Sequence, residues 1–208
     1  MKIYDITAEI SQNLPPYGNG FRPQITHPAQ MSKGDSYNIS KLSFSSHTGT
    51  HADMPLHFIA DGTDCTTTPL DHFYGPAKVM HVPVKNHIRK ADLVGLDIQA
   101  GDIILLNTGQ SKYMGDGTFK EDFIALIPEA AEYLVEKKIK TLGIDYLSID
   151  PYGSDDFAVH KILLGNNIAV LEGLVLDGVP EGEYILSALP LKYPNGDGSP
   201  VRAILVEM

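Results

Sequence analysis

The sequence predicts a mixed α/β domain built on an antiparallel-rich sheet. Three observations carry that expectation: strand-like runs outnumber helical ones, they dominate the first half of the chain, and helical patterns are interleaved only later. No internal repeat, low-complexity tract or Ser/Gly linker divides the chain, so residues 1–208 read as one domain.

Taken in order, residues 2–10 alternate apolar and polar side chains and read as the first strand. Residues 36–46 read as the second, because Leu42 and Phe44 share one face while Ser43 and Ser45 share the other, aimed at His47. Further strands are expected at 77–84, 102–107, 141–149, 168–171 and 201–206, the last after the turn-rich PNGDGSP. The clearest helix spans 128–138: Pro128 suits the first turn, and Ile127, Ala130, Ala131, Leu134 and Val135 form an apolar stripe. Lysines at its end suit the macrodipole. A second helix is expected from 155 to 164, with Ser154 as N-cap, Asp155 and Asp156 in the first turn and Gly165 just past the end. A short third helix is placed near 91–96.

Composition limits the partners. Hydrophobic residues make up 43% and charged residues 20% of the 208, which excludes low-hydrophobicity disorder, and no apolar run approaches the length of a membrane span. With 26 acidic against 16 basic residues the formal charge is −10, which repels a phosphate backbone; neither nucleic acid nor membrane is an expected partner. The start, MKIYDITAEI, lacks the apolar stretch of a signal peptide, so a cytoplasmic location is expected. The single cysteine, Cys65, has no partner for a disulfide or a Cys-based metal motif, and any metal must be held by His and carboxylates. Cys65 itself reads as buried and inert, and the isolated His72, His81 and His87 as packed or solvated. MGDGTF and PNGDGSP read as tight turns, since neither carries the Lys and Ser/Thr of a phosphate loop.

Chemistry concentrates between Ser46 and Phe58. His47, His51, Asp53 and His57 all have odd numbers, so an extended chain projects them from one face, with the side-chain-free Gly49 opening a pocket between them. Two threonines, Gly49 and Pro55 argue against a helix and for a strand running into a loop. Imidazoles and a carboxylate suit zinc, manganese or iron(II), with positions left open for water. His57 is either a fourth ligand or a free general base, the base being preferred. His160, on the predicted second helix, and Glu172, ending the apolar strand IAVL, fall where core meets cleft. Their plainer readings are a surface histidine paired with Asp156 and a carboxylate in a salt bridge.

These residues resemble a known family, the cyclase-like metal-dependent hydrolases, which include bacterial kynurenine formamidases and isatin hydrolases. HTGTHADMPLHF is similar to the family signature H-x-G-T-H-x-D-x-P-x-H-F at every specified position. The likeness extends through YDIT, TPLDHFYGPAKV, GDIILLNTG, LGIDYLSIDPYG and HKILLGNNIAVLEGL. It implies one metal at His47, His51 and Asp53, a second at His160 and Glu172 with Asp53 shared, and His57 as acid/base. One or two zinc ions are implied, with manganese as the alternative. The implied fold is a β/β/α arrangement with a barrel-like, antiparallel-rich sheet and a few flanking helices. The implied activity is hydrolysis of a small amide, of the arylformamidase type that converts N-formyl-kynurenine to kynurenine and formate. The alternatives are the same chemistry on a lactone or cyclic amide, and a non-catalytic metal-binding protein. Tyr146 and Leu147 stand where formamidases more often carry threonine and proline. A homodimer or homotetramer is expected, from the family and from the strand at 201–206, which needs cover on both faces.

Overall fold

The computed structural model describes residues 1–208. Its strands are β1 (Ile3–Asp5), β2 (Gln24–Ala29), β3 (Ile39–Ser43), β4 (His51–Asp53), β5 (Tyr74–His81), β6 (Ile103–Asn107), β7 (Thr141–Ile144), β8 (Ala169–Glu172), β9 (Gly182–Ser187), β10 (Gly198–Pro200) and β11 (Ile204–Glu207). Nine of them form one sheet in the order β1-β11-β9-β5-β6-β7-β8-β4-β10. Within it the three pairings among β5, β6, β7 and β8 are parallel and the other five are antiparallel, so the antiparallel-rich expectation holds.

The parallel centre explains which strands the sequence announces most clearly. Parallel strands carry crossovers on their faces and are buried on both sides, so IILL of β6, TLGI of β7 and AVLE of β8 are near-continuous apolar runs. Helices α1 (Lys90–Leu93), α2 (Pro128–Lys137) and α3 (Ala158–Gly165) supply that cover. Ala130, Ala131 and Leu134 of α2 and Val159, Leu163 and Leu164 of α3 meet Ile104, Leu106, Leu142 and Val170 from one face of the sheet. On the opposite face the sheet curls on itself, enclosing Ile6, Met54, Phe73, Val79, Leu105, Leu171, Leu174, Leu186 and Leu205. Each such side chain, removed from water, contributes about 1.5–3 kcal/mol before the entropy of ordering is charged against it.

Several boundaries differ from the sequence expectation, each for a physical reason. The first strand stops at Asp5, and the expected continuation becomes a single bridge from Thr7 to Leu174. The strand expected at 141–149 ends at Ile144, after which Asp145 turns the chain; its carboxylate accepts hydrogen bonds from the backbones of Thr108 and Gln110 at 3.0 and 2.9 Å. Helix α2 matches to within a residue, Lys138 closing it in the left-handed conformation. Helix α3 starts at Ala158 rather than 155, and Ser154 is not its cap: its hydroxyl donates to Asp156 at 3.0 Å. The cap comes from Asp150, which accepts the N–H groups of Val159 and His160, each at 3.0 Å. The short helix expected at 91–96 is a single turn, α1.

The strand expected at 36–46 is real only as β3, and it does not join the main sheet. It pairs with β2, which the alternation does not reveal, in a separate two-stranded hairpin whose Ile25, Ile39 and Leu42 are exposed. No helix is long and apolar enough to cross a membrane.

Candidate metal centre

The extended-chain expectation for residues 47–58 holds only in its middle. Residues 47–50 form a turn, β4 carries His51 and Asp53 on one face, and Pro55–His57 is a turn of 3-10 helix. Pro55 supplies a preset φ at the first position of that turn and swings His57 off the strand line. β4 lies between β8 and β10, in a register that sets His51 opposite Glu172 and Asp53 opposite Gly198. Strand pairing therefore brings Glu172 to the histidines, and α3, capped by Asp150, delivers His160 from the other side.

All six residues singled out from the sequence meet here. Asp53 is the hub. Its Oδ1 lies 2.8 Å from His47 Nδ1 and 3.3 Å from His51 Nε2, and its Oδ2 lies 3.4 Å from His160 Nε2. Glu172 approaches His160 Nε2 at 3.1 Å through Oε1 and His51 Nε2 at 3.4 Å through Oε2, while Oε1 also accepts the Ile149 N–H. The ring of His57 stacks on that of His47, centroids 3.9 Å apart and planes 25° from parallel. Phe58 packs beside His160 at 4.8 Å. The surface-pairing reading of His160 is overturned: the residue is buried, and its Nδ1–H donates to Asp150 at 2.6 Å, not to Asp156.

The electrostatics are those of a site that wants positive charge. Burial disfavours an imidazolium at His51, yet Asp53 and Glu172 outweigh it and push its pKa up to about 10. His160 is likewise raised well above the usual histidine range: burial opposes its charge, but Asp150, Asp53 and Glu172 favour it more. Asp53 is held well below the usual carboxylate range, its complete burial being outweighed first by His51. His57 goes the other way, with burial pulling it down to about 4, so it is a neutral imidazole at pH 7.

The donor set fits a divalent cation. Asp53 Oδ2 is buried and accepts no hydrogen bond, an arrangement that costs energy unless something else occupies that lone pair. Two groups of three side chains bring their ligand atoms within 4.8 Å of one another, His47–Asp53–His57 and His51–Asp53–Glu172, and Asp53 belongs to both. Imidazole nitrogens with carboxylate oxygens are the ligands of zinc and manganese sites.

Two participants escape a sequence reading. Asp150 lies ten positions before His160, a spacing with no strand or helix periodicity; its only signal is an acidic residue before Pro151 and ahead of a helix. Asp197, inside the turn-rich PNGDGSP, sets Oδ2 2.9 Å from His47 Nε2 and 3.7 Å from His57 Nδ1. The residues read as bland are so. Cys65 is buried, which with Asp64 and Asp197 nearby raises its thiol to about 11. His72 and His81 face backbone carbonyls, and His87 Nδ1 accepts the Ala125 N–H.

A curled mixed sheet with a buried histidine and carboxylate centre at its edge defines the class: an α/β domain organised round a candidate cation site. The family model described as "Putative cyclase" matches residues 4–151, and the chain belongs to that family. A kynurenine formamidase of Erythrobacter litoralis is 35% identical over 208 residues, covering all of this chain and 94% of that protein. A predicted metal-dependent hydrolase from Bacillus stearothermophilus superposes with a TM-score of 0.86 at 36% identity, over 98% of this chain and 97% of that one. Isatin hydrolase A from Ralstonia solanacearum gives a TM-score of 0.86 at 26% identity, over 99% of this chain and 92% of that one.

Proposed function

We propose that the protein is a metal-dependent hydrolase of small amides, of the arylformamidase type, converting N-formyl-kynurenine to kynurenine and formate. The observation that carries the reading is Asp53, a buried carboxylate with one unsatisfied oxygen shared between two ligand clusters. The formamidase relative, at 35% identity along the whole chain, supports the substrate class. His47, His51 and Asp53 would hold one ion, and His160, Glu172 and Asp53 would hold a second, zinc by preference and manganese as the alternative. When bound, such an ion polarises a carbonyl and lowers the pKa of water toward ~7.

The chain supplies the proton transfers. His57 is neutral at pH 7 and so keeps a ring-nitrogen lone pair free to accept a proton. It takes the proton of the attacking water, then returns it to the departing amine nitrogen as the C–N bond breaks and formate leaves. Leu14, Pro16, Tyr17, Phe21 and Leu147 line a cavity of 190 Å³ that also contains His47, an apolar wall suited to an aryl ring.

The isatin hydrolase likeness keeps a second reading open, the same chemistry on a cyclic amide or lactone. Metal-loaded protein offered N-formyl-kynurenine, isatin and a simple aryl lactone decides between them. Release of kynurenine and formate at the highest kcat/KM supports the proposal, whereas preference for either ring substrate replaces it. Metal binding without turnover of any of the three leaves a non-catalytic metal protein.

The same reading takes the protein to be cytoplasmic and a homodimer or homotetramer. The hairpin of β2 and β3 supports assembly, since a lone two-stranded ribbon is marginally stable in water and this one exposes Ile25, Met31, Tyr37, Ile39 and Leu42. Light scattering at micromolar concentration should return a multiple of the 22.7 kDa chain mass; the monomer mass would refute the assembly.

A further inference from the structure

His51 and His160 share a device. Each turns one ring nitrogen outward to a fixed acceptor and the other inward to Asp53 and Glu172. For His51 the outward bond is Nδ1–H to the Gly49 carbonyl at 2.8 Å; for His160 it is Nδ1–H to Asp150 at 2.6 Å. A neutral imidazole has only one N–H, so the outward bond decides which nitrogen presents its lone pair to the site.

His47 repeats the pattern with its nitrogens exchanged. Nδ1 faces Asp53 Oδ1 at 2.8 Å, and Nε2 faces Asp197 Oδ2 at 2.9 Å. Asp197 is itself held in place. Its Oδ1 accepts the Ser46 hydroxyl at 3.1 Å and its carbonyl accepts the Met54 N–H at 3.0 Å, while Gly198 beside it pairs with Asp53 in the sheet. Residue 198 has no room for a side chain, since a Cβ there would strike the His47 ring, so the strand that carries Asp197 packs directly against its target.

We infer that Asp197 is a positioning residue of the metal centre. By accepting Nε2–H of His47 it selects the tautomer whose Nδ1 lone pair faces Asp53, and it fixes the ring on which His57 stacks. The inference rests on His47 being a metal ligand, as proposed above. A merely structural Asp197 would staple the 195–198 turn to Ser46 and leave metal binding untouched.

Wild type, Asp197→Asn and Asp197→Ala are compared, each stripped and reloaded with zinc in competition with a chelator, and separately with cobalt(II) for its visible spectrum. Asparagine keeps an acceptor oxygen and alanine does not. Asp197→Ala is expected to bind zinc roughly 10- to 100-fold more weakly with an altered cobalt spectrum, and Asp197→Asn to recover most of both. If the alanine variant does not fold, Asp197→Ser, too short to reach Nε2, takes its place. Wild-type affinity and spectrum in the variant lacking the acceptor overturn the inference, as does an equal loss in the asparagine variant. Wild type that takes up no metal overturns the ligand reading of His47 and this inference with it, so the two failures are distinguishable.

Discussion

At the scale of single residues, His57 separates binding from chemistry. His57→Asn should keep its metal and lose roughly 10²- to 10⁴-fold in turnover, the usual worth of a general acid/base. Metal content and rate measured on one preparation test this; a variant that loses metal and recovers rate when metal is added back makes His57 a ligand, as its clustering with His47 and Asp53 allows. Asp64 controls a different property. Its carboxylate accepts the Thr66 and Thr67 hydroxyls, each at 2.7 Å, and the Asn195 N–H at 2.7 Å, so its pKa falls below the ordinary 3.8. A depressed folded pKa gives stability that is present above the unfolded value and is lost as pH falls through the folded one. Asp64→Asn should therefore lower the melting temperature at pH 7, and by progressively less as pH falls below the ordinary 3.8; a difference that stays constant as the pH is lowered through that value would contradict this. The site was legible where its residues cluster in sequence, from His47 to His57, because spacing alone puts His51 and Asp53 on one face. By pattern alone His160 and Glu172 were legible only as polar residues in apolar surroundings, and it was the family resemblance of HKILLGNNIAVLEGL that marked them as ligands. Asp150 and Asp197 were not, because each reaches its histidine through a fold, across separations of 10 and 150 residues that no local periodicity encodes.

Among the elements, the turn after β8 is the most constrained. Gly173 takes φ +65°, and a Cβ there would run into the Gly49 carbonyl oxygen, the backbone that also holds His51. Gly173→Ala adds left-handed strain to a backbone clash, so a loss of about 2–4 kcal/mol is expected, together with weakened metal binding. Denaturant unfolding and metal titration check it, and a variant within about 0.5 kcal/mol of wild type would show that the loop relaxes freely. Elements were legible in proportion to their burial on two faces. β6, β7 and β8 stand out as apolar runs, and α2 by its stripe and its proline, whereas β9 and β10 escape notice. GEYILS of β9 begins with glycine and glutamate, and GSP of β10 reads as a turn; both become strands through pairing with β5, β11 and β4. β2 was hidden for the opposite reason: all but one of its six residues are exposed, so no buried face marks its alternation.

For the whole molecule, a cation bound by residues from three elements is a ligand of the folded state alone. Zinc at 100 times its Kd should stabilise the protein by about 2.7 kcal/mol, roughly 5–11 °C in melting temperature for a chain of this size. A chelator should reverse the shift, and a melting curve indifferent to both would show that the centre holds no metal. The fold class was legible because a mixed sheet announces itself by its strand count. Its barrel-like curl was legible only through the family resemblance and not from local pattern, since it depends on distant pairings such as that of β1 with β11. That strand order also bears on how the protein is made. His51 and Asp53 emerge early from the ribosome, but β4 has no strand beside it until β8 and β10 have been synthesised, at 169–172 and 198–200. Through most of translation the growing chain thus offers histidines without a cage, and metal selection is left to the finished fold, where geometry rather than first encounter decides which ion stays.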